Sequence, residues 1–550
     1  MVSRSAALAA AIAAASPLPA LAQSNLPRPV ETQALRELDA WSVSALAREQ
    51  GALAPDLWTR SDPEFLAAAF DRLPAVYDSP AAQALARRVL FSGGDAPRGD
   101  ARDAGRKRFE AIGRMGAADE LATMAAGAGS SLTDPHIAQY AAQAELARGR
   151  RQEACARGRN AQVGETPPPF LLRLRAYCAA AGGDRAAADL ALELARAANA
   201  EDAWYTGAVA AAGGAPGARP PTARYDNSLA VQLSLAGGLR PGPNPLNNSS
   251  TLALLALAHS ENAPQPQRAQ AAALAFRRGV LSAQEARTIL NATPAEVTSA
   301  VPTYVTALRR IAAAQPPAPV APADPAAPPQ VDPTSAAIAD VLRQATAPAD
   351  FAATARFFRA EINRLQTAPD QAAAVAFARA AISNGDAQVA QRLVASARQA
   401  GAAEATLAPL DAALVVMAGA RGDSGTVAMH RRIDRAGAGA ANARAAARDV
   451  AILAALGAPV DGVVQSFILA NPPQGGARAD SGAMLALASA VERGAIGEGA
   501  LLAAAALGEG GPARLDAESL ERILRALRGL RLEEDARRIA IDALLAGQPG

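Results

Sequence analysis

The sequence predicts an all-α protein, an α-solenoid of helical hairpins in two blocks joined by a Pro-rich linker. Three observations predict it. Apolar residues recur at three- to four-residue spacing through most of the chain. Strand-like alternation of β-branched residues is nearly absent. Helix pairs restart around Gly-containing turns.

Residues 1–22 have the pattern of a cleavable secretory signal. Arg4 supplies the positive start, Ser5 to Ala15 is an apolar stretch too short to span a bilayer, and Ala20-Leu21-Ala22 is a small-x-small site with cleavage expected after Ala22. No Cys follows that site, so a lipid anchor on the mature end is not expected. Together with heavy Ala, Arg and Gly usage, this predicts a periplasmic protein with no integral membrane segment after cleavage. The most apolar later run, Leu501–Leu507, is closed off by Gly and Glu.

Residues 23–314 form the first predicted helical block. Its expected helix starts include capping boxes at Ser61/Glu64, Ser282/Glu285 and Thr293/Glu296. Gly213 to Tyr225 and Arg240 to Asn248 are rich in Gly, Pro and Asn and read as long loops. Residues 315–334 are Pro- and Ala-rich and predict an extended linker. Residues 335–550 form the second block, with helix pairs restarting near Glu404, Ala440, Asp480 and Asp516. Leu520, Ile523, Leu524, Leu527 and Leu530 mark one face of a helix there. Val463–Leu469 is the best candidate strand, and reads equally well as a buried helical turn.

The pairs keep a period. Gly149 and Gly183 are 34 residues apart, as are Ala154 and Ala188. Small residues (Ala176, Ala188 and Ala195; Ala378, Ala390 and Ala397) fall where paired helices must cross closely. On these positions the chain resembles the tetratricopeptide-repeat family in a degenerate form, over about 140–200 and 370–404 and more weakly to 547. The resemblance implies a superhelix with a concave face that holds a partner. The family's aromatic positions are mostly Ala or Leu here. The alternative is an irregular bundle in which abundant Ala produces chance matches; the kept period and the Gly-Asp turns favour the solenoid.

Cys155 and Cys178 are the only cysteines, and an even number in an exported chain favours a disulfide over two buried thiols. The C-x-x-C spacing of a redox pair is missing. In the repeat frame the bridge would join the second helix of one unit to the first helix of the next.

Chemistry-bearing motifs are scarce. His136, His259 and His430 are far apart and none has a His partner at i+4, so no metal site is expected. Lys107 is the only lysine and does not follow Gly, which removes the P-loop and S-x-x-K settings, and no cofactor is expected. Gly437-Ala-Gly439 reads as a helix–helix turn. Glu518-Ser519 resembles the catalytic Glu-Ser pair of soluble lytic transglycosylases, which also place an Ala-rich superhelix after a signal peptide; the Gly-Leu-Met-Gln segment of that family is absent, and Glu518 reads as a helix-start carboxylate.

Two basic clusters, Arg102, Arg106, Lys107, Arg108 and Arg114, then Arg148, Arg150, Arg151, Arg157 and Arg159, read as solvated helix faces. A net charge of +2 argues against nucleic acid, and 4% aromatic residues against a sugar cleft. The expectation is a non-catalytic scaffold or adaptor for a protein partner in the cell envelope, with no assigned catalytic residues. The alternative is a cell-wall glycan-active enzyme.

Overall fold

The computed structural model describes residues 38–161, 167–215, 219–293, 304, 305, 307, 309, 311 and 333–547, other than 366, 367, 369, 420 and 421. All of these belong to one compact unit, Leu38–Gly550. The signal segment 1–22, residues 315–332 of the linker, and Glu296 of the Thr293 box lie outside the described residues.

Among the described residues the protein is all-helical, with 26 α-helices and no strand; only two isolated bridges occur, Ala223 with Pro241 and Ala477 with Leu515. No helix there is long and apolar enough to cross a membrane.

Local chemistry sets the helix boundaries. Asp62, Ser79 and Asp134 each accept a backbone N–H of the first turn (from Phe65, Ala82 and His136), and each is followed by Pro at the first helical position. There the missing N–H costs nothing and φ is already helical. This logic corrects the Ser61/Glu64 box: Asp62 is the cap, because Pro63 is stable only immediately after it. The Ser282/Glu285 box forms as expected, with reciprocal bonds of 3.2 and 3.1 Å. The two Gly/Pro-rich stretches are non-helical wherever they are described.

Helix pairs turn on Gly. Pro135–Ala147 and Arg151–Asn160 meet at Gly149, Pro169–Ala181 and Arg185–Ala197 at Gly183, and Gln371–Ser383 and Ala387–Gln399 at Gly385. The three glycines have φ of +74°, +82° and +77°, a region that costs an L side chain about 1–2 kcal/mol. In each case the following N–H (Arg150, Asp184, Asp386) reaches back to the carbonyl five residues earlier, closing a Schellman turn at 2.8–3.0 Å. Ala176, Ala188, Ala195, Ala378, Ala390 and Ala397 are all buried, and the 169–197 and 371–399 pairs are the most closely packed in the molecule. Further helices begin at Glu404, Ala440, Ser481 and Ala517, the last two capped by Asp480 and Asp516.

Val463–Leu469 is helical, within Gly462–Ala470, but it is not buried. Val464 is buried and Ile468 packs partly buried against the core, while Val463 and Leu469 are 60% and 85% exposed.

Helices from the two ends of the compact unit pack together. Pro80–Phe91 lies against Ile496–Leu507 and Glu533–Ala546. The apolar run of Ile496–Leu507 is buried almost all round, since Ser481–Arg493 and Ala517–Gly529 cover its other sides. Gly497 makes this approach possible: its N–H donates to the Leu57 carbonyl at 3.0 Å, and a Cβ there would lie 2.8 Å from the Trp58 ring. Further links are Asp78 N–H to the Glu509 carbonyl at 2.7 Å, Ser79 Oγ to Asp542 at 2.6 Å, and the Arg88–Asp535 ion pair. One hydrophobic core thus runs from Ala40 to Leu544, with contributors on both sides of residues 315–332.

Candidate functional site: an arginine-lined cleft

Cys155 and Cys178 are disulfide-bonded, with Cα atoms 5.9 Å apart. The bridge ties Arg151–Asn160 to Pro169–Ala181, the second helix of one pair to the first of the next.

The three histidines are not brought together. His136 is exposed in the first turn of a helix that Asp134 caps. His259 ends its helix with Nδ1 3.0 Å from the Ala147 carbonyl oxygen. His430 Nε2 lies 2.7 Å from Asp461 Oδ2 on the adjoining helix, a pairing that the i+4 search along a single helix cannot find. No cluster of three potential metal ligands occurs among the described residues.

Glu518 sits in the first turn of Ala517–Gly529, 70% exposed and 3.7 Å from Arg522. Ser519 Oγ accepts the Ala479 N–H at 3.1 Å. Both line an open groove of about 820 Å³ beside Ser481–Arg493, in which Glu521 pairs with Arg525. Gly437 and Gly439 (φ +83° and +97°) form the turn between two helices, as expected.

Most residues of the first basic cluster have partners: Arg102 with Asp100 (2.6 Å), Arg106 with Asp134 (2.7 Å), Lys107 with Asp71 (3.1 Å) and Glu110 (3.3 Å). Arg108 does not lie on a solvated face. Its guanidinium is fully buried and donates to the carbonyls of Leu90, Ala40, Trp41, Val43 and Ser92 at 2.7–3.1 Å. Burial pulls its pKa down to about 9, with the Asp39 carboxylate opposing. In the second cluster Arg148 holds Asp119 (2.7 Å) and the buried Glu145 (3.2 Å).

The strongest concentration of functional groups lies elsewhere. Ala387–Gln399, Glu404–Met417 and Asp423–Asp434 wall a cleft of about 410 Å³. Four guanidinium groups line it: Arg398, Arg431, Arg432 and Arg435. Asp411 accepts from Arg398 at 2.7 Å and from Arg435 at 2.8 Å. Glu404 closes the circuit at the rim, 2.7 Å from Arg398 and 3.3 Å from Arg435. The hydrogen bond from Arg398 holds the Glu404 carboxyl below its ordinary pKa.

Arg432 is buried and pairs with the equally buried Asp449 at 2.8 Å. Burial pushes the Asp449 carboxyl up, with Arg432 opposing. Arg432 Nη1 is buried without a hydrogen-bond acceptor, and Arg431 has no ion-pair partner among the described residues. Ala408, Ala412 and Ala428 are buried beneath it, and the partly buried Leu414 and Val415 add an apolar wall.

This group is not legible in the sequence. Its available signal was the helical spacing of Arg431, Arg432 and Arg435, but Arg is this chain's default cation, and the acids that hold the site together come from a different helix. Comparison of the chain with protein-family models, with curated proteins and with solved structures finds no match.

Proposed function

We propose that the protein is a non-catalytic, periplasmic helical-repeat scaffold, a degenerate tetratricopeptide-like α-solenoid that holds a protein partner of the cell envelope. One observation carries this reading. Large apolar side chains stand exposed in the second block: Val427 on Asp423–Asp434, Val460, Val463 and Leu469 at and within Gly462–Ala470, which packs on Asp423–Asp434, and Leu485 on Ser481–Arg493. Exposed Leu and Val on adjacent elements mark a surface suited to burial against another molecule. The all-helical architecture, the Gly-turned pairs, the disulfide between adjacent pairs and the core that joins both ends of the compact unit support a stiff body able to present such a surface. The export component rests on residues 1–22.

The test is a crosslinking pull-down from envelope extracts, with wild type and a Leu469→Asp/Leu485→Asp variant. Wild type should recover a specific protein that the variant loses. Recovery of no protein above background would overturn the reading. Release of soluble fragments from peptidoglycan by the purified protein would replace it with a glycan-active enzyme.

A further inference from the structure

We propose that the arginine-lined cleft binds a carboxylate-bearing segment of the partner, an acidic peptide with an apolar side chain beside the acid. This rests on the scaffold reading and names the chemistry that one part of the surface recognises.

The cleft carries more cation than it neutralises. Four guanidinium groups face it, against Asp411 inside and Glu404 at the rim, with Asp449 behind Arg432. Asp411 already shows how a carboxylate sits there, its oxygen shared by Arg398 and Arg435. One donor group remains open to an incoming anion. Arg431 is exposed and has no ion-pair partner among the described residues. Arg432 also lines the cleft, but its side chain is 3% exposed and its acceptor-free Nη1 is closed off from solvent, so it contributes charge and no open donor. Guanidinium groups also match the planar, two-oxygen geometry of a carboxylate better than an ammonium would.

The wall decides between a peptide and a bare anion. Leu414 and Val415, partly buried, line the cleft beside the arginines, with Ala408, Ala412 and Ala428 buried beneath. An inorganic anion makes no use of that apolar strip, whereas a peptide can lay an apolar side chain on it while its carboxylate meets the guanidinium groups.

The experiment is fluorescence anisotropy on the full chain, with a labelled peptide alternating Glu and Leu and a control in which Gln replaces Glu. The Glu peptide should bind at least about tenfold more tightly than the control, with affinity falling as salt rises. Arg431→Ala should weaken it about tenfold and Arg431→Lys by less, both with unchanged helicity and melting, since Arg431 holds no structural partner. Equal binding of the Gln peptide, or no effect of Arg431→Ala, would overturn the proposal. So would displacement of the peptide by millimolar inorganic phosphate, or binding to anionic phospholipid vesicles in place of the peptide. If the Glu peptide fails while wild type still captures a protein that Leu469→Asp/Leu485→Asp loses, the cleft assignment falls and the scaffold stands. If the peptide binds but no partner is captured, the scaffold falls instead.

Discussion

Arg108 shows how far a residue's environment can depart from its composition. It sits among cations in a stretch that reads as a charged surface, yet it shares a helix face with Ala104, Ile112 and Met115, all buried. There it gathers five carbonyl groups from the loop Ala40–Val43 and the end of Pro80–Phe91. Arg448 repeats the device with the carbonyls of Ala543 and Pro512. Removing Arg108 strands buried acceptors, so Arg108→Met should lower unfolding stability by about 3–5 kcal/mol. Arg108→Lys should recover only part of that, because one ammonium has three donors and cannot span five acceptors. Urea unfolding of the three proteins checks both statements. The i, i+4 spacing with Ala104 and Ile112 was the visible signal, but nothing local says that unpaired carbonyls wait on the other side.

At the scale of elements, the helix pairs are the most legible feature. Asp caps and Gly turns act within a few residues, so the caps Asp480 and Asp516 and the turn at Gly439 before Ala440 can be read without tertiary knowledge. The exposure of Val463–Leu469 could not be read that way, because an apolar turn looks the same whether or not another helix covers it. The disulfide belongs to this scale too. It closes a loop of 23 residues between adjacent pairs, and Cys155→Ser/Cys178→Ser should cost about 3 kcal/mol. Thermal melting should show the loss, and reductant should bring wild type down to the variant while leaving the variant unchanged. A wild type insensitive to reductant would refute the bridge's contribution.

For the whole of the compact unit, the decisive event is the meeting of an early helix, Pro80–Phe91, with the last, Glu533–Ala546. Ser79 and Ala81, at the start of Pro80–Phe91, donate to Asp542 at 2.6 and 3.0 Å, so one helix caps another more than 450 residues away. Asp542 has no cation within ion-pair distance among the described residues, and burial pushes its carboxyl up from the ordinary 3.8. An acid raised in this way holds its proton more tightly when folded than when unfolded. Its contribution is complete below about pH 3.8 and is lost as pH rises through the folded value. Asp542→Asn keeps an acceptor for both donors and cannot ionise. Its stability should therefore fall less than wild type's between about pH 4 and 8, measured as denaturant midpoints. Parallel profiles would show that Asp542 does not titrate in this window.

The sequence by itself determined the helical class, the turn positions, the 34-residue spacing and the even cysteine count, because capping, φ preference and apolar periodicity act over one or two turns of chain. Tertiary structure alone decided which arginines are buried, which apolar turn stays exposed, and that Arg398, Asp411, Arg432 and Arg435 share one cleft. Those outcomes depend on which helices come to lie side by side, and a single helix's pattern specifies that it has a face to bury without specifying against what.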